Sequence, residues 1–150
     1  LIDENIAVIG VNSAKPNPVP WRSDGHIPTV QLDSLDRILE DERLSGRFIF
    51  VMTHYAPRLK NGEHDTRLHG LINADEFLDK CRLIQSGAIL CGHVHELYRT
   101  SVKDLKSEIY CAGSATMEGH EGFWVYELGE TGLLAKQVYW NTTDYCFADT

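Results

Sequence analysis

Short apolar runs alternate with amphipathic segments along most of this chain. Three runs contain almost no polar residues, and they span Ile6–Asn12, Phe48–Met52 and Ala88–Cys91. Such continuous apolar character predicts strands buried on both faces, as is typical of parallel sheets. Helical spacing of apolar residues separates the runs. It predicts a first helix over Thr29–Leu44, ended by Ser45-Gly46, and a second helix that begins after an N-cap at Asn73. This alternation predicts an α/β fold in which the second helix is a crossover between parallel strands.

The pattern changes to a period of two after His95. Four segments show it, at residues 97–102, 107–112, 123–128 and 133–140, and turn residues separate them. We expect consecutive, antiparallel strands here. The last residues, Asn141–Thr150, are expected to form a tail in which Tyr145 and Phe147 pack back.

Composition restricts the function classes. The chain has 150 residues, enough for one domain, and a formal net charge of −8. No run of lysine or arginine concentrates positive charge, which disfavours binding to nucleic acid or to a membrane surface. No apolar stretch approaches the length of a membrane span.

The four cysteines lack CxxC spacing, and Cys91 and Cys111 lie in apolar strand patterns. They are expected to be reduced and buried, which favours a cytoplasmic location.

Histidines follow two of the predicted parallel strands. His54 follows Phe48–Met52, and the sequence Gly92-His93-Val94-His95 follows Ala88–Cys91. If residues 93–95 stay extended, both of their imidazoles point to one side and Val94 to the other. The carboxyl ends of parallel strands meet at one edge, so His54, His93 and His95 are predicted to converge there. Neutral imidazoles bind Zn, Mn or Fe, which makes these three residues candidate metal ligands.

A third histidine-containing pattern has a different interpretation. Asp24-Gly25-His26 stands in a proline-rich loop, with no strand leading into it. We interpret it as a turn before the first helix, in preference to a pair of metal ligands.

In these motifs the chain resembles the calcineurin-like metallophosphoesterase family. The resemblance rests on T-H-Y-A-P at 53–57 and G-H-V-H at 92–95, and extends to Asn12-Ser13, Gly25–Leu35 and 112–116. It implies part of a four-layer α-β-β-α sandwich, with residues 1–140 forming the carboxyl-terminal half of one domain. It also implies a dinuclear centre of Mn, Fe or Zn that hydrolyses a small phosphodiester or phosphomonoester. By this analogy His54 and His93 bind one ion and His95 binds the other.

The resemblance also implies that part of the catalytic site is missing. The family's earlier motifs supply an Asp-x-His pair, a bridging aspartate and a Gly-Asn-His-Asp/Glu sequence, and none of them stands upstream of Ile6. The acid that protonates the leaving group is therefore expected upstream of Leu1. We expect the 150 residues alone to be inactive. We also expect the missing half, or self-association, to cover an exposed apolar sheet face.

The loop that begins at His54 carries candidate substrate ligands. Arg58, Lys60 and Arg67 are placed to meet phosphate oxygens, and the alternative is that they are ordinary surface charges. The sequence leaves three functions open. They are a metal-dependent phosphoesterase, a non-catalytic interaction scaffold with the same fold, and an unrelated α/β domain with structural histidines.

Overall fold

The three apolar runs form neighbouring parallel strands, as predicted. In the computed structural model, which describes residues 4–148, they are β1 (Ile6–Gly10), β2 (Phe48–Tyr55) and β3 (Gly87–Gly92). Two later strands, β4 (Tyr98–Thr100) and β5 (Glu108–Cys111), complete a five-stranded sheet of order β1-β2-β3-β5-β4. Strand β5 is parallel to β3, and β4 is antiparallel to β5. The carboxyl ends of four strands therefore meet at one edge of the sheet.

Two helices cover one face of this sheet. Helix α1 spans Thr29–Leu39 and α2 spans Ala74–Cys81. They pack on a row of side chains that crosses the parallel strands in register and is almost completely buried: Ile9, Val51, Ile89 and Ile109. The prediction of one continuous helix to Leu44 was wrong. Asp41 adopts an extended conformation and accepts a hydrogen bond from the Arg43 N–H (2.9 Å), which starts a separate 3-10 turn over Glu42–Leu44.

A second sheet packs on the opposite face. It is antiparallel and contains β6 (Gly122–Gly129), β7 (Gly132–Trp140) and β8 (Tyr145–Phe147). The contact between the sheets joins Phe50, Ala88 and Tyr110 to Trp124 and Tyr126. The predicted α/β class is confirmed, and the described residues form helix, sheet and sheet layers of the expected sandwich.

Two strand predictions need correction. Strands β4 and β5 do not continue into β6 and β7 as one antiparallel set, because β5 joins the parallel sheet beside β3. The segment expected to be a tail contains β8, which pairs with β7 through Tyr139 and Cys146. Period-two patterning reports that a strand is half buried, but it does not report which neighbour the strand pairs with.

The face of β1 and β2 that points away from the helices is only partly covered. On that face Val8 is 36% exposed and Met52 is 46% exposed. The prediction that β1 is buried on both faces was therefore wrong, because the three-stranded sheet does not cover the whole five-stranded sheet.

All four cysteines are free thiols, and Cys81, Cys91 and Cys111 are buried. Among residues 4–148, no helix combines the length and the apolar character that crossing a bilayer requires.

Asn73 precedes α2, as predicted, but its side chain does not cap the helix. Instead, its amide donates to the Ile27 carbonyl (2.9 Å) and accepts from the Ile27 N–H (3.0 Å). All four groups are buried, so the asparagine satisfies backbone polarity that would otherwise lack a partner. The side chain thereby joins the loop before α1 to the start of α2.

Candidate functional site

A β-bulge places His54 at the carboxyl edge of the parallel sheet. Met52 pairs with Leu90 and Tyr55 pairs with Gly92, so β2 has one more residue than β3 in this interval. Bulges re-aim side chains locally and are common beside functional sites. Tyr55 is buried beyond the bulge, and His54 is exposed next to it.

A tight turn, and not an extended strand, presents His93 and His95. Their φ angles are +72° and +53°, and the Val94 N–H donates to the Gly92 carbonyl (2.9 Å). Positive φ is uncommon for residues other than glycine, and it disrupts the side-to-side alternation of a strand. The expectation that extended backbone places both imidazoles on one side is therefore wrong.

His54 and His93 approach each other closely. Nε2 of His54 lies 3.2 Å from Nδ1 of His93. In a tetrahedral site with metal–nitrogen bonds of about 2.0–2.1 Å, two ligand nitrogens are about 3.3–3.4 Å apart. The two nitrogens therefore have the spacing of two ligands to one divalent ion, and imidazole is a suitable ligand for Zn, Mn or Fe.

The surroundings of His93 keep it neutral and fix its ring. Its Nε2–H donates to the backbone carbonyl of His69 (2.9 Å). Its ring centroid lies 4.1 Å from that of Tyr55 and 4.2 Å from that of His69. Burial lowers the pKa of His93 to about 4, and the nearby His69 and His54 rings contribute in the same direction. Neutral imidazole is the form that binds metal ions.

His95 does not join this pair in the described structure. Its Nδ1 lies 3.3 Å from the Met117 sulfur, and its carbonyl accepts a hydrogen bond from Nδ1 of His120 (2.9 Å). Within residues 4–148, no group of three His, Cys, Asp or Glu side chains is arranged to hold an ion. The residues present thus fit two ligands of one ion and lack the carboxylates that a two-ion centre uses. The assignment of His54, His93 and His95 as metal ligands stays a prediction.

Asp65 and His69 belong to the site and were not among the predicted residues. Nδ1–H of His69 donates to Oδ2 of Asp65 (2.5 Å), and the His69 ring packs on His93. Their spacing of four residues in a polar loop is a weak signal, because acid and histidine pairs are frequent on protein surfaces. Only the return of this loop to the sheet edge shows that they lie beside His93.

A buried ion-pair cluster supports the site from behind. The Asp24 side chain has no exposed surface and contacts Arg22 and Lys15. The Arg22 guanidinium is the largest cause of the fall in the pKa of Asp24 to about 2. Burial raises the pKa of Tyr55, and the Asp24 charge adds to this effect. Gly25 lies against the Tyr55 ring so closely that a Cβ there would overlap it.

This cluster corrects the sequence interpretation of Asp24-Gly25-His26. The segment is not a simple turn, because Gly25 forms a parallel bridge with Leu71 and Asp24 is a buried anion. Ser13 adds to the same support, since its hydroxyl accepts a hydrogen bond from the Tyr55 N–H (3.3 Å). The loop over residues 13–25 therefore determines where Tyr55, and hence His93, can lie.

The predicted substrate-binding cations have different surroundings. Arg58 is mostly buried, donates to the Pro57 carbonyl (2.7 Å) and contacts Asp75, which lowers the pKa of that carboxyl. Lys60 is exposed and pairs with Glu96 at 3.2 Å. Arg67 is exposed. Their role in binding phosphate stays a prediction.

No protein-family model matches this chain, and no curated protein matches it. Among solved structures, the chain is similar to Vps29 from Entamoeba histolytica complexed with zinc. The identity is 15% and the TM-score 0.40, over 95% of this chain and 96% of that chain. It is also similar to a Vps29 double mutant from the same organism, at 18% identity and a TM-score of 0.36, over 96% and 99% of the two chains.

Proposed function

We propose that His54 and His93 bind one divalent metal ion in a phosphoesterase site of which this chain supplies one part. The observation that carries the proposal is the 3.2 Å separation of two ring nitrogens, one from His54 in β2 and one from His93 in the turn that follows the adjacent parallel strand β3. The carbonyl of His69 holds the Nε2 proton of His93, which leaves Nδ1 unprotonated and able to act as the ligand atom. Such an ion supplies Lewis-acid activation of a phosphate ester and of bound water.

The proposed site needs groups that the described residues do not bring together. Two-ion hydrolysis requires ions about 3.5–4 Å apart, and bridging carboxylates usually neutralise them. We propose that a further polypeptide segment supplies these carboxylates and covers the exposed face around Val8 and Met52. His95 would then bind the second ion after turning away from Met117. The substrate class that this arrangement favours is a small phosphodiester or phosphomonoester.

A metal titration of the 150-residue chain tests the proposal. We expect one equivalent of Zn²⁺ to bind weakly, because two imidazoles provide half of a tetrahedral ligand set. We expect no hydrolysis of bis-p-nitrophenyl phosphate above background in the presence of Mn²⁺ or Zn²⁺. Failure to bind Zn²⁺, or binding that persists when His54 and His93 are both replaced, would contradict the assignment. Robust turnover by the chain alone would contradict the claim that the site is partial.

A second candidate function is that of a protein-interaction scaffold, and a groove favours it. The groove has a volume of about 790 Å³ and runs between β4, the last strand of its sheet, and β7. Its charged lining residues are all cations, Lys60, Arg99 and Lys136, although the whole chain is acidic. Its apolar floor includes Trp124 and Phe147. We propose that the occupant in this case is an extended, acidic peptide that pairs with the edge of β4.

The cations of the groove can exchange their carboxylate partners at a small cost in free energy. Their present partners are exposed carboxylates at 3.2 Å from Lys60, 3.6 Å from Arg99 and 2.8 Å from Lys136. Exposed pairs of this kind contribute less than about 1 kcal/mol, so a bound peptide carboxylate competes with them easily.

A labelled ten-residue peptide that alternates Glu with Leu tests the scaffold function. We expect it to bind, and the double variant Arg99→Glu, Lys136→Glu to weaken its binding by about tenfold or more because repulsion replaces attraction. The same peptide with Lys in place of Glu is the matched control and should not bind. Equal binding of the two peptides would exclude the proposed charge recognition.

A further inference from the structure

The segment from Asp65 to Gly70 forms a turn that uses both oxygens of one carboxylate. Oδ1 of Asp65 accepts a hydrogen bond from the Thr66 N–H (2.6 Å), and Oδ2 accepts from Nδ1–H of His69 (2.5 Å). The Thr66 carbonyl closes the turn by accepting from the N–H groups of His69 (3.1 Å) and Gly70 (2.7 Å). The Asp65 carboxylate therefore holds the beginning and the end of the turn together.

The turn is also fixed to the neighbouring loop. The Ser23 N–H donates to the Leu68 carbonyl (2.9 Å), and the Gly25 N–H donates to the Gly70 carbonyl (3.0 Å). A Cβ at Gly70 would lie 2.6 Å from the Asp65 Cβ, so glycine permits the aspartate to approach. These contacts fix the position of the turn relative to the edge of the sheet.

In that position the His69 carbonyl lies 2.9 Å from Nε2 of His93. A carbonyl can only accept a hydrogen bond, so Nε2 carries a proton, and in the neutral ring Nδ1 is then the unprotonated nitrogen. Nδ1 is the atom that faces His54 at 3.2 Å. The ring of His69 packs on the ring of His93 at 4.2 Å between centroids and limits its rotation.

We propose that Asp65 is a positioning residue for His93. Through the turn and the His69 carbonyl, it fixes the ring orientation and the Nε2–H tautomer that direct Nδ1 at the metal position. The expected effect of Asp65 on metal binding rests on the proposed function. The protection of the His93 ring N–H by the His69 carbonyl does not depend on a bound ion.

The test compares Asp65→Asn with the wild-type chain by two measurements. Asparagine keeps the size of the side chain and the acceptor for Thr66, but it replaces the carboxylate that holds His69. We expect solvent exchange of the His93 ring N–H, followed by NMR, to rise by about tenfold or more. We expect Zn²⁺ affinity to fall by about 10–100-fold, the usual effect of losing an outer-shell partner. Asp75→Asn is the matched control, because the ion-pair partners of Asp75 are Arg58 and His64.

The two measurements separate the two proposals. If the wild-type chain binds no Zn²⁺, the proposed function fails, and the exchange rate of the His93 N–H alone decides the role of Asp65. If the wild-type chain binds Zn²⁺ and Asp65→Asn changes neither the affinity nor the exchange rate, the positioning role is overturned. An equal change in Asp75→Asn would also overturn it, since the effect would then be a general loss of structure.

Discussion

Replacing His93 by glycine is expected to lower the Zn²⁺ affinity of the chain by more than about 100-fold. The expected loss exceeds the 10–100-fold effect of an outer-shell change because a ligand itself is removed. Glycine is the appropriate substitution, since the φ of His93 is +72° and glycine adopts positive φ without strain. Titration against a chromophoric chelator measures the affinity, and circular dichroism checks that the variant is folded.

His95→Gly is the matched control for that experiment. His95 also has a positive φ, +53°, so the same substitution removes a ring at a comparable backbone position. Its Nδ1 faces the Met117 sulfur, and not the pair formed by His54 and His93. We therefore expect the affinity for the first ion to change by less than about threefold, within the range of small surface effects. Equal losses in the two variants would show that His95 belongs to the same ion.

Asp24→Asn is expected to destabilise the fold by about 2–3 kcal/mol. Removing one partner of a fully buried ion pair costs about 3–5 kcal/mol. The expected value is lower here because the side chains of Arg22 and Lys15 are 35% and 27% exposed and can be hydrated. Denaturant unfolding at neutral pH measures the change as a shift of the midpoint.

The Asp24 carboxylate also makes the stability of the fold depend on pH. The folded-state pKa of Asp24 is about 2, below its ordinary value of 3.8. The contribution of the Asp24 carboxylate to the free energy of unfolding is therefore fully present above about pH 4 and is lost as the pH falls toward 2. We expect the stability difference between wild type and Asp24→Asn to shrink over this interval.

Asp41→Asn is the matched control for Asp24→Asn. An arginine two residues away, Arg43, likewise lowers the pKa of Asp41 to about 2. The Asp41 side chain is 30% exposed and that of Arg43 is 81% exposed, so the pair is hydrated. We expect this variant to unfold close to the denaturant midpoint of the wild-type chain, because exposed ion pairs contribute little to stability. If both variants lose the same amount, burial is not what makes Asp24 important.

The sequence determined most of the strands and helices, and it placed two histidines at one edge of the parallel sheet. Continuous apolar runs at Phe48 and Ala88 specified central parallel strands, because both faces of such a strand meet other elements. The run at Ile6 specified the strand beside them, which lies at the edge of the sheet. The placement of His54 and His93 at one edge followed from the common direction of those strands. These features are local in the chain, so periodicity and composition report them directly.

Only the tertiary structure decided which polar groups meet. The bulge in β2 and the positive φ angles of His93 and His95 set the directions of the rings, and neither has a distinctive local pattern. The two pairings beside the rings, Asp65 with His69 and Asp24 with Arg22 and Lys15, depend on where loops return to the sheet. Sequence spacing cannot report such returns, because a loop's path depends on long-range packing and on the hydrogen bonds that its backbone finds there.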